Sequence, residues 1–475
     1  MTGAPAAAPG WDRRHTAIVL LALVVGAAGS TTLPLDDHEA FVVQTAQEMR
    51  DRHDWIVPYF LEKPRLNKPP LSYWLVAGLA EVTASPRVTP WQGRTPSILG
   101  GAGVVALTMA IALGLLDARA AALAGLIAAS SLGLFRYTHS ARPDMLYAFW
   151  CTAILAAFAR GWHAYLLWVG AALATLTKGP QVPAMLLAAI VIVERRRGVT
   201  FRALAQRLRP LTGLALLCAL TVPWWWAVDR ALGGHGLAGT QLGGSLLTPS
   251  WSQVLDPYYF YRPLALVLPS LAILVVAVSW RCWPRDPRGV LGALAVFVIV
   301  PAIAFTCGPQ RRPHYMLPAL GPLSILLALV TCAVFERAHV ASRSRWIPVA
   351  VKVMWAATIV VEVALGGSRR LWSAERWVME DLGRLAGRAL PRTTPLLALD
   401  AGAAAPSYYA ARPISSVRSV TRVLAALERS PGERVGLLTE RRSLERLPPD
   451  VAVTILGSGV AGKNEFVFTE LARRR

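Results

Sequence analysis

Charged residues and cysteines are both scarce in this sequence. Only 16% of the 475 residues are Asp, Glu, Lys or Arg, whereas 54% are hydrophobic. That balance argues against a water-soluble protein of this length and is typical of a membrane protein. The five cysteines stand apart, without a CxxC pair, which argues against a disulfide framework or a thiolate metal site. No internal repeat is visible, and an alanine-rich N-terminus is the only low-complexity segment.

Acidic residues are outnumbered by basic ones, which leaves a formal net charge of +21. Most arginines before the C-terminal tail lie in short loops between apolar runs, and few form a helical stripe. An excess of Lys and Arg in short loops marks the cytoplasmic side of a membrane protein and a basic surface beside the lipid. We therefore expect membrane lipids, and no nucleic acid, among the partners.

The long apolar runs predict an all-α polytopic bundle of about eleven membrane spans, with thirteen as the upper count. Arg13 and Arg14 precede the first run and no cleavage site follows it, which favours a retained signal anchor over a cleaved signal peptide. With eleven spans, the arginine-rich loops all fall on one side, the cytoplasmic one. The predicted spans are 16–34, 95–115, 119–136, 145–159, 163–177, 180–194, 210–228, 263–280, 289–306, 315–335 and 347–367.

The apolar segment 71–84 is short for a span. If it crossed the membrane, every later loop would change sides and the arginine clusters would face outward. We therefore predict a helix at the outer interface, where the tryptophans around it suit an interfacial belt. The outer side then carries the loop 36–94, the loop 229–262 and everything after residue 367.

Two domains are predicted on this basis. Residues 1–367 form the transmembrane domain, which includes the first outer loop at 36–94. Residues 368–475 form a small soluble α/β domain outside the cytoplasm, with "TPLLALDAG", "RVGLLTE" and "VAVTIL" as strands and "SVTRVLAALERS" as a helix.

The first outer loop begins with four consecutive charged or titratable residues, Asp36, Asp37, His38 and Glu39, and carries Lys68 near its other end. One of the aspartates could simply cap the helix that "EAFVVQTAQEMRDR" predicts. The number of charges beside a bilayer nevertheless indicates a functional loop.

Further charged residues stand at the ends of later spans on the same predicted side. They are Asp144, Lys178, Arg311 and Arg312, with Tyr315 beside the last pair. Carboxylates that act as a general base, together with Lys and Arg that hold an anionic leaving group, suit transfer from a polyprenyl-linked sugar phosphate.

The ordered motifs resemble those of bacterial membrane glycosyltransferases of the GT-C superfamily, the group of protein O-mannosyltransferases and the lipid A aminoarabinose transferase. The first outer loop reads "HEAFVVQTAQEM", "DWIVPYF" and "LNKPPLSYW"; later come "RPDML", "LTKGP", "RRPHYMLPALGP" and "PSYYAARPI". The resemblance extends over essentially the whole chain. The family usually has an Asp-Glu pair at the start of this loop, whereas this sequence has His38 and Glu39 at the aligned positions.

The resemblance implies inverting sugar transfer from a polyprenyl-phosphate donor at the extracytoplasmic face of a bacterial plasma membrane, to a glycolipid, polysaccharide or protein acceptor. It implies that Lys68 and Lys178 contact the donor phosphate, and that Asp144 positions or activates the acceptor. Arg311 or Arg312 would lie near the donor head group with Tyr315. A one-residue shift makes Asp37 the base, ahead of Asp36 and then His38; Glu39 completes the set of catalytic candidates.

Three questions stay open at the level of sequence. Asp36, Asp37, His38 and Glu39 could collect Mg²⁺ or Mn²⁺, although Lys and Arg could neutralise the phosphate without a metal, and we expect none to be required. A transporter or flippase of a lipid-linked or anionic substrate is the alternative function; it would place charges near the midplane, often within inverted repeats. We expect a monomer.

Overall fold

Helices dominate the chain up to residue 365 in the computed structural model, which describes residues 10–234, 256–284, 286, 289–308, 311–340 and 344–474. A predicted outer loop, 229–262, lies partly outside these ranges. The first helices are α1 Arg13–Ala27, α2 Asp37–Asp51, α3 Leu71–Val82, α4 Pro90–Leu115, α5 Ala118–Ala129, α6 Leu132–Thr138, α7 Pro143–Ala159, α8 Ala164–Thr177, α9 Gln181–Arg196, α10 Phe201–Leu208 and α11 Pro210–Ala231. They are followed by α12 Tyr258–Tyr261, a 3₁₀ helix Arg262–Val267, α13 Ala272–Ser279, α14 Val290–Thr306, a 3₁₀ helix Pro313–Ala319, α15 Leu320–Val340 and α16 Ile347–Leu365.

Each of the eleven predicted spans falls on one of these helices or on a bent pair of them. Four helical stretches are long and apolar enough to cross a membrane, and two bent pairs would raise the number to six. Four shorter apolar helices accompany them. The chain is therefore a multi-pass membrane protein, although length and composition alone assign fewer spans than the eleven predicted. The four long stretches are Pro90–Leu115, Phe201–Ala231, Pro313–Val340 and Ile347–Leu365.

The predicted span 119–136 is broken rather than continuous. Helices α5 and α6 meet at an angle of 51°, where the Ser131 hydroxyl accepts a hydrogen bond from the Leu134 N–H and caps α6. The Leu132 N–H donates outside the helix, to the Leu268 carbonyl at 2.9 Å. A serine that caps a new helix competes with continuation of the old one, which the apolar run alone did not reveal.

The first outer loop folds into helix α2, a two-residue hairpin and helix α3. Strands β1 Tyr59–Phe60 and β2 Lys63–Pro64 pair antiparallel. Both turn residues, Leu61 and Glu62, have positive φ, a conformation that costs free energy for residues other than glycine. The Glu48 carboxylate accepts hydrogen bonds from both of their N–H groups, at 2.7 and 3.1 Å, and thereby stabilises the turn.

The chain after residue 374 forms a five-stranded mixed sheet with helices. The elements are α17 Glu375–Ala389, β3 Leu396–Leu399, α18 Ala404–Ala410, β4 Ser415–Val417, α19 Val420–Arg429, β5 Arg434–Glu440, β6 Val451–Ala461 and β7 Asn464–Arg473, with 3₁₀ turns at Pro431–Glu433 and Arg441–Arg446. The sheet order is β4-β3-β5-β7-β6; β3 is parallel to β4 and β5, whereas β7 is antiparallel to β5 and β6.

Two strands of this sheet were not predicted from the sequence. They are the edge strand β4 and the long strand β7, although "NEFVFTELAR" alternates apolar and polar residues.

Helix α18 places this C-terminal region directly on the first outer loop. The Tyr408 hydroxyl donates to the Val88 carbonyl, and the Tyr409 hydroxyl accepts from the Leu35 N–H, each at 2.8 Å. Tyr408 also packs into the apolar cluster that α2 and α3 form. The loop and the C-terminal region therefore share one interface.

Candidate active site

A buried carboxylate surrounded by cations lies where α7 begins and α8 ends. Asp144, which is 3% exposed, pairs with Lys178 Nζ through Oδ1 at 2.5 Å and with Arg142 Nε through Oδ2 at 3.0 Å. Pro143 occupies the first turn of α7, which is a favoured place for proline, and an acid there also suits the helix dipole. Because two positive side chains pair with one carboxylate, these three side chains together carry a net positive charge.

The "LTKGP" turn holds Lys178 in place. Lys178 is the C-terminal cap of α8 and is followed by Gly179, whose φ of +126° only glycine adopts readily. The Tyr147 hydroxyl donates to the Gly179 carbonyl at 2.9 Å and accepts from the Val182 N–H at 3.1 Å. Helix α7 therefore supplies both Asp144 and the phenol that fixes this turn.

The "RRPHYMLP" segment lies against the same group. His314 Nε2 is 3.9 Å from Asp144 Oδ1, and the Tyr315 ring lies 5.0 Å from Lys178 Nζ. Arg312 belongs to this side of the site, because its charge is felt at His38 and at His314. Arg311 is directed elsewhere and pairs with Asp256 at 2.8 Å. Of the two predicted arginines, Arg312 is the one near the cluster.

Lys68 completes the group of cations. The pKa of its ammonium group is lowered to about 8, mainly by burial and also by the positive charges of Lys178, Arg65 and Arg142, against the opposing effect of Asp144. The neighbouring Leu66 packs in a cluster with Leu176 of α8. We call Lys68, Arg142, Lys178 and Arg312, gathered around Asp144, the cation cluster. The cation cluster carries more positive charge than the single Asp144 carboxylate can balance. Such a net positive charge attracts anions, so the cluster is a candidate anion-binding site.

The acidic end of the loop divides into residues with different surroundings. Asp36 is the N-cap of α2: its carboxylate accepts from the Glu39 N–H at 2.9 Å and also pairs with Arg376 Nη2 at 2.6 Å. The capping interpretation thus applies to Asp36. A carboxylate committed to a cap and an arginine is a poor general base.

Glu39 lies in a buried ion-pair network rather than in a substrate pocket. It is completely buried and pairs with Arg94, itself completely buried, at 2.8 Å, and with Arg376. Its Oε1 also accepts from the Ala141 N–H at 2.8 Å. Burial alone would raise the pKa of this carboxyl, but Arg94 and Arg376 lower it to about 2. Glu39 therefore joins α2, α4 and α17 through its ion pairs, an arrangement that favours a structural role for it.

Asp36 and Asp37 both line a cavity, and Asp37 is the one that is not paired with Arg376. Its Oδ1 accepts from the Ala405 N–H at 2.8 Å, and no ion pair to it is present among the described residues. Burial raises the pKa of Asp37, and the charge of Asp36 raises it further, while the Ala405 N–H opposes both. A carboxyl with a raised pKa is better matched to accept a proton than an ion-paired one.

Partial burial of the His38 ring, together with the charge of Arg142, lowers the pKa of this histidine. The metal set considered from the sequence was Asp36, Asp37, His38 and Glu39. Both oxygens of Glu39 are engaged by arginines, and within the described ranges no three His, Cys, Asp or Glu side chains gather as ligands. These residues do not fit a metal ion, and we derive no step through one.

A cavity of about 490 Å³ is lined both by the acidic end of the loop and by Arg142, a member of the cation cluster. The residues from the acidic end are Asp36, Asp37 and His38, and Arg142 also pairs with Asp144. The cavity is thus bordered by a carboxylate of raised pKa and by the edge of an anion site. Its remaining lining residues include Arg136, Tyr137, Ser140, Trp372, Glu375 and Arg376.

Three residues of the site were not singled out by the sequence. Arg94 is the last residue of the first outer loop and directly precedes the predicted span 95–115, a position where arginine is common because its side chain can reach the interface, so no local pattern distinguished it. Arg376 and Glu375 lie in the C-terminal region, more than 330 residues from Asp36 and Glu39, and no local pattern marks them.

Comparison with known proteins gives a consistent result. The family model described as dolichyl-phosphate-mannose-protein mannosyltransferase matches residues 67–226. The undecaprenyl phosphate-alpha-4-amino-4-deoxy-L-arabinose arabinosyl transferase of Yersinia pestis strain Pestoides F is 28% identical over 318 residues, which cover 61% of this chain and 54% of that protein. The chain therefore spans about half the length of the curated relatives that it matches.

Two solved structures share the fold. The crystal structure of ArnT from Cupriavidus metallidurans in the apo state has a TM-score of 0.70 at 17% identity, and covers 96% of this chain and 97% of that one. The same protein bound to undecaprenyl phosphate has a TM-score of 0.69 at the same identity and coverage. The similarity extends through both the helical bundle and the C-terminal sheet region.

Proposed function

We propose, from the similarity to the proteins described above, that the chain is a GT-C superfamily member and an inverting glycosyltransferase that uses a polyprenyl-phosphate sugar. The observation that carries this proposal is a cavity lined by the Asp37 carboxylate and by Arg142, which joins the cavity to the cation cluster through its ion pair with Asp144. These are the two groups that a single displacement at a sugar phosphate needs.

The cation cluster holds the phosphate of the donor. Lys178 and Arg142 are already paired with Asp144, which keeps them in place when the site is empty and limits their mutual repulsion. As the bond between the sugar and the phosphate breaks, both bonding electrons stay on the phosphate oxygen. Cations held in position stabilise that negative charge without reorganisation.

Asp37 activates the acceptor. Its carboxylate takes the proton of an acceptor hydroxyl while the hydroxyl oxygen attacks the anomeric carbon from the face opposite the phosphate. The polyprenyl phosphate leaves, and the configuration at the anomeric carbon inverts. Asp144 keeps the cations in position rather than accepting a proton, because two cations pair with it.

The acceptor is a component of the cell envelope: a glycolipid, a polysaccharide or a protein. Arg136 and Arg376 line the same cavity as Arg142. The carboxylates of Asp36, Asp37 and Glu375 line the same cavity, and Arg142 and Arg376 are already paired with carboxylates, so the charge of the cavity favours none of the three acceptors over the others.

We place the site and the C-terminal region outside the cytoplasm of a bacterial plasma membrane, with residues 1–367 as the membrane domain and 368–475 as the soluble one. The arginine-rich loops at the opposite ends of the helices support this orientation. The same geometry speaks against a transporter, because Asp144, Lys178 and Arg312 stand at helix ends rather than at the middle of spans.

The test is sugar transfer in membranes with a polyprenyl-phosphate sugar as donor. We expect Lys68→Ala to lower kcat/KM for the donor by about 10–100-fold, since one charge-assisted contact to the phosphate is lost. Lys63→Ala, a change of an exposed lysine in the β1–β2 hairpin, is the matched control and should retain activity. Full activity of Lys68→Ala, or transport without transfer, would overturn the proposal.

The affinity for the donor should fall in mild alkali. The pKa of Lys68 is about 8, so its ammonium is charged below pH 8 and becomes neutral above it, whereas a bound phosphate stabilises the charged form. KM for the donor should therefore be flat below pH 8 and rise as the pH increases from 8 to 9. Lys68→Arg, which stays charged, should remove this rise. An identical rise in Lys68→Arg would assign the pH dependence to another group.

A further inference from the structure

The C-terminal region contacts the candidate base directly, through the segment between β3 and α18. The Ala405 N–H donates to Asp37 Oδ1 at 2.8 Å. The Ala404 N–H is close enough to lower the pKa of the same carboxyl. A part of the chain about 368 residues away in sequence therefore determines where this carboxylate points.

Gly402 makes this contact possible. A Cβ atom at this position would overlap with the Asp37 carboxylate, at 2.8 Å from Cγ and 2.9 Å from Oδ1. The φ of Gly402 is not in the left-handed region, so its backbone does not require glycine. The space taken by the Asp37 carboxylate is what excludes a side chain there.

We propose that Gly402 and the Ala405 N–H position the Asp37 carboxylate, so that the active site is incomplete without the C-terminal region. This inference rests on the proposed function, in which Asp37 is the base. Gly402 is a positioning residue: it leaves room for the carboxylate at the distance where Ala405 can donate to it. The other titratable groups that face Asp37 are Asp36, His38 and Glu375.

The Gly402→Ala variant tests the position of the Asp37 carboxylate without disrupting the fold. The atoms that the added methyl group displaces belong to the movable end of the Asp37 side chain and not to the backbone. We expect the protein to accumulate in membranes and to keep its KM for the donor, since the cation cluster is untouched. We expect kcat to fall by about 10–100-fold, the effect of displacing a reacting group by about 1 Å. Loss of the Ala405 hydrogen bond raises the pKa of the carboxyl, so the acidic limb of the pH profile should move to higher pH.

Gly457→Ala is the matched control. Its methyl group meets the flexible side chain of Leu385 and, at 3.8 Å, that of Leu382, both in the same C-terminal region, and activity should be retained. Asp37→Glu fills the same space between Gly402 and the Asp37 carboxylate, by lengthening the acidic side chain. This variant replaces Gly402→Ala in the test if Gly402→Ala does not accumulate in membranes. Its kcat should fall to a similar extent.

The double variant Asp37→Asn with Gly402→Ala distinguishes the possible failures. If Gly402 acts through Asp37, the second change should cost little once the base is removed. Independent, multiplicative losses would show that Gly402 is merely structural, and a fully active Gly402→Ala or Asp37→Glu would overturn the positioning inference. A fully active Asp37→Asn would instead overturn the base assignment in the proposed function.

Discussion

Asp37→Asn should reduce sugar transfer by about 10²–10⁴-fold in kcat, the range expected when a general base is removed. Asparagine has the same shape and still accepts a hydrogen bond from the Ala405 N–H through its carbonyl oxygen. The change therefore removes the basic oxygen with little disturbance of the fold. KM for the donor should change little, because the ion pairs of Asp144 with Lys178 and Arg142 do not involve Asp37.

Asp36→Asn is the matched control for this result. Asparagine caps a helix as well as aspartate does, so α2 should persist, and the main loss is the ion pair with Arg376. Transfer should fall by less than about tenfold, which corresponds to about 1.4 kcal/mol. A larger loss in Asp36→Asn than in Asp37→Asn would reverse the assignment of the base.

The pH profile gives a second view of the same group. Burial raises the pKa of Asp37 above 3.8, and the carboxylate is the active form. Activity at acidic pH should therefore rise as the pH increases through that raised pKa. In Asp37→Asn the residual activity should lack this acidic limb. Its persistence would assign the limb to His38 or to Glu375.

Glu39→Gln should lower the free energy of unfolding by about 3–5 kcal/mol, because it leaves the buried guanidinium groups of Arg94 and Arg376 without their carboxylate. The matched control is Glu380→Gln. It also removes an arginine partner, but the Glu380–Arg384 pair is exposed and spaced i to i+4, so it is worth well under about 1 kcal/mol. Denaturant titration in detergent, with transfer activity as a second probe of the native state, measures both.

The effect of Glu39 should also depend on pH. Its pKa is lowered to about 2 in the folded protein, so its contribution to stability is complete above the unfolded value near 4.5 and is lost as the pH falls toward 2. The stability gap between the wild type and Glu39→Gln should narrow over that window. Equal stability of the two proteins at neutral pH would contradict a structural role for Glu39.

Local patterns predicted the elements well where one residue type repeats with a clear period. The eleven apolar runs all lie on helices, and α2 begins at the acidic stretch as expected. The break between α5 and α6 was not predicted, because Ser131 directs a new helix from inside an apolar run. Strand β7 was overlooked although its alternation was visible.

The site could be predicted as a set of residues but not as an arrangement. The motifs identified Asp144, Lys178 and Lys68, and the structure brings all three together. The motifs also placed Asp36, Asp37 and Glu39 close together in the sequence. Sequence alone cannot tell which of them caps a helix, which acts as a base and which pairs with buried arginines. That separation depends on Arg94, Arg376 and Ala405, which approach from α4, α17 and α18.

Composition and ordered motifs by themselves predicted a polytopic membrane protein that resembles GT-C glycosyltransferases and has charged residues at its helix ends. Apolar length and the cost of burying charge in lipid are properties of a segment, so they can be read locally. Only the tertiary structure separated Asp37 from Asp36 and Glu39, both of which pair with arginine. The pKa and availability of a carboxylate depend on burial and on distant partners, and Gly402 and Arg376 reach this loop only when the chain has folded.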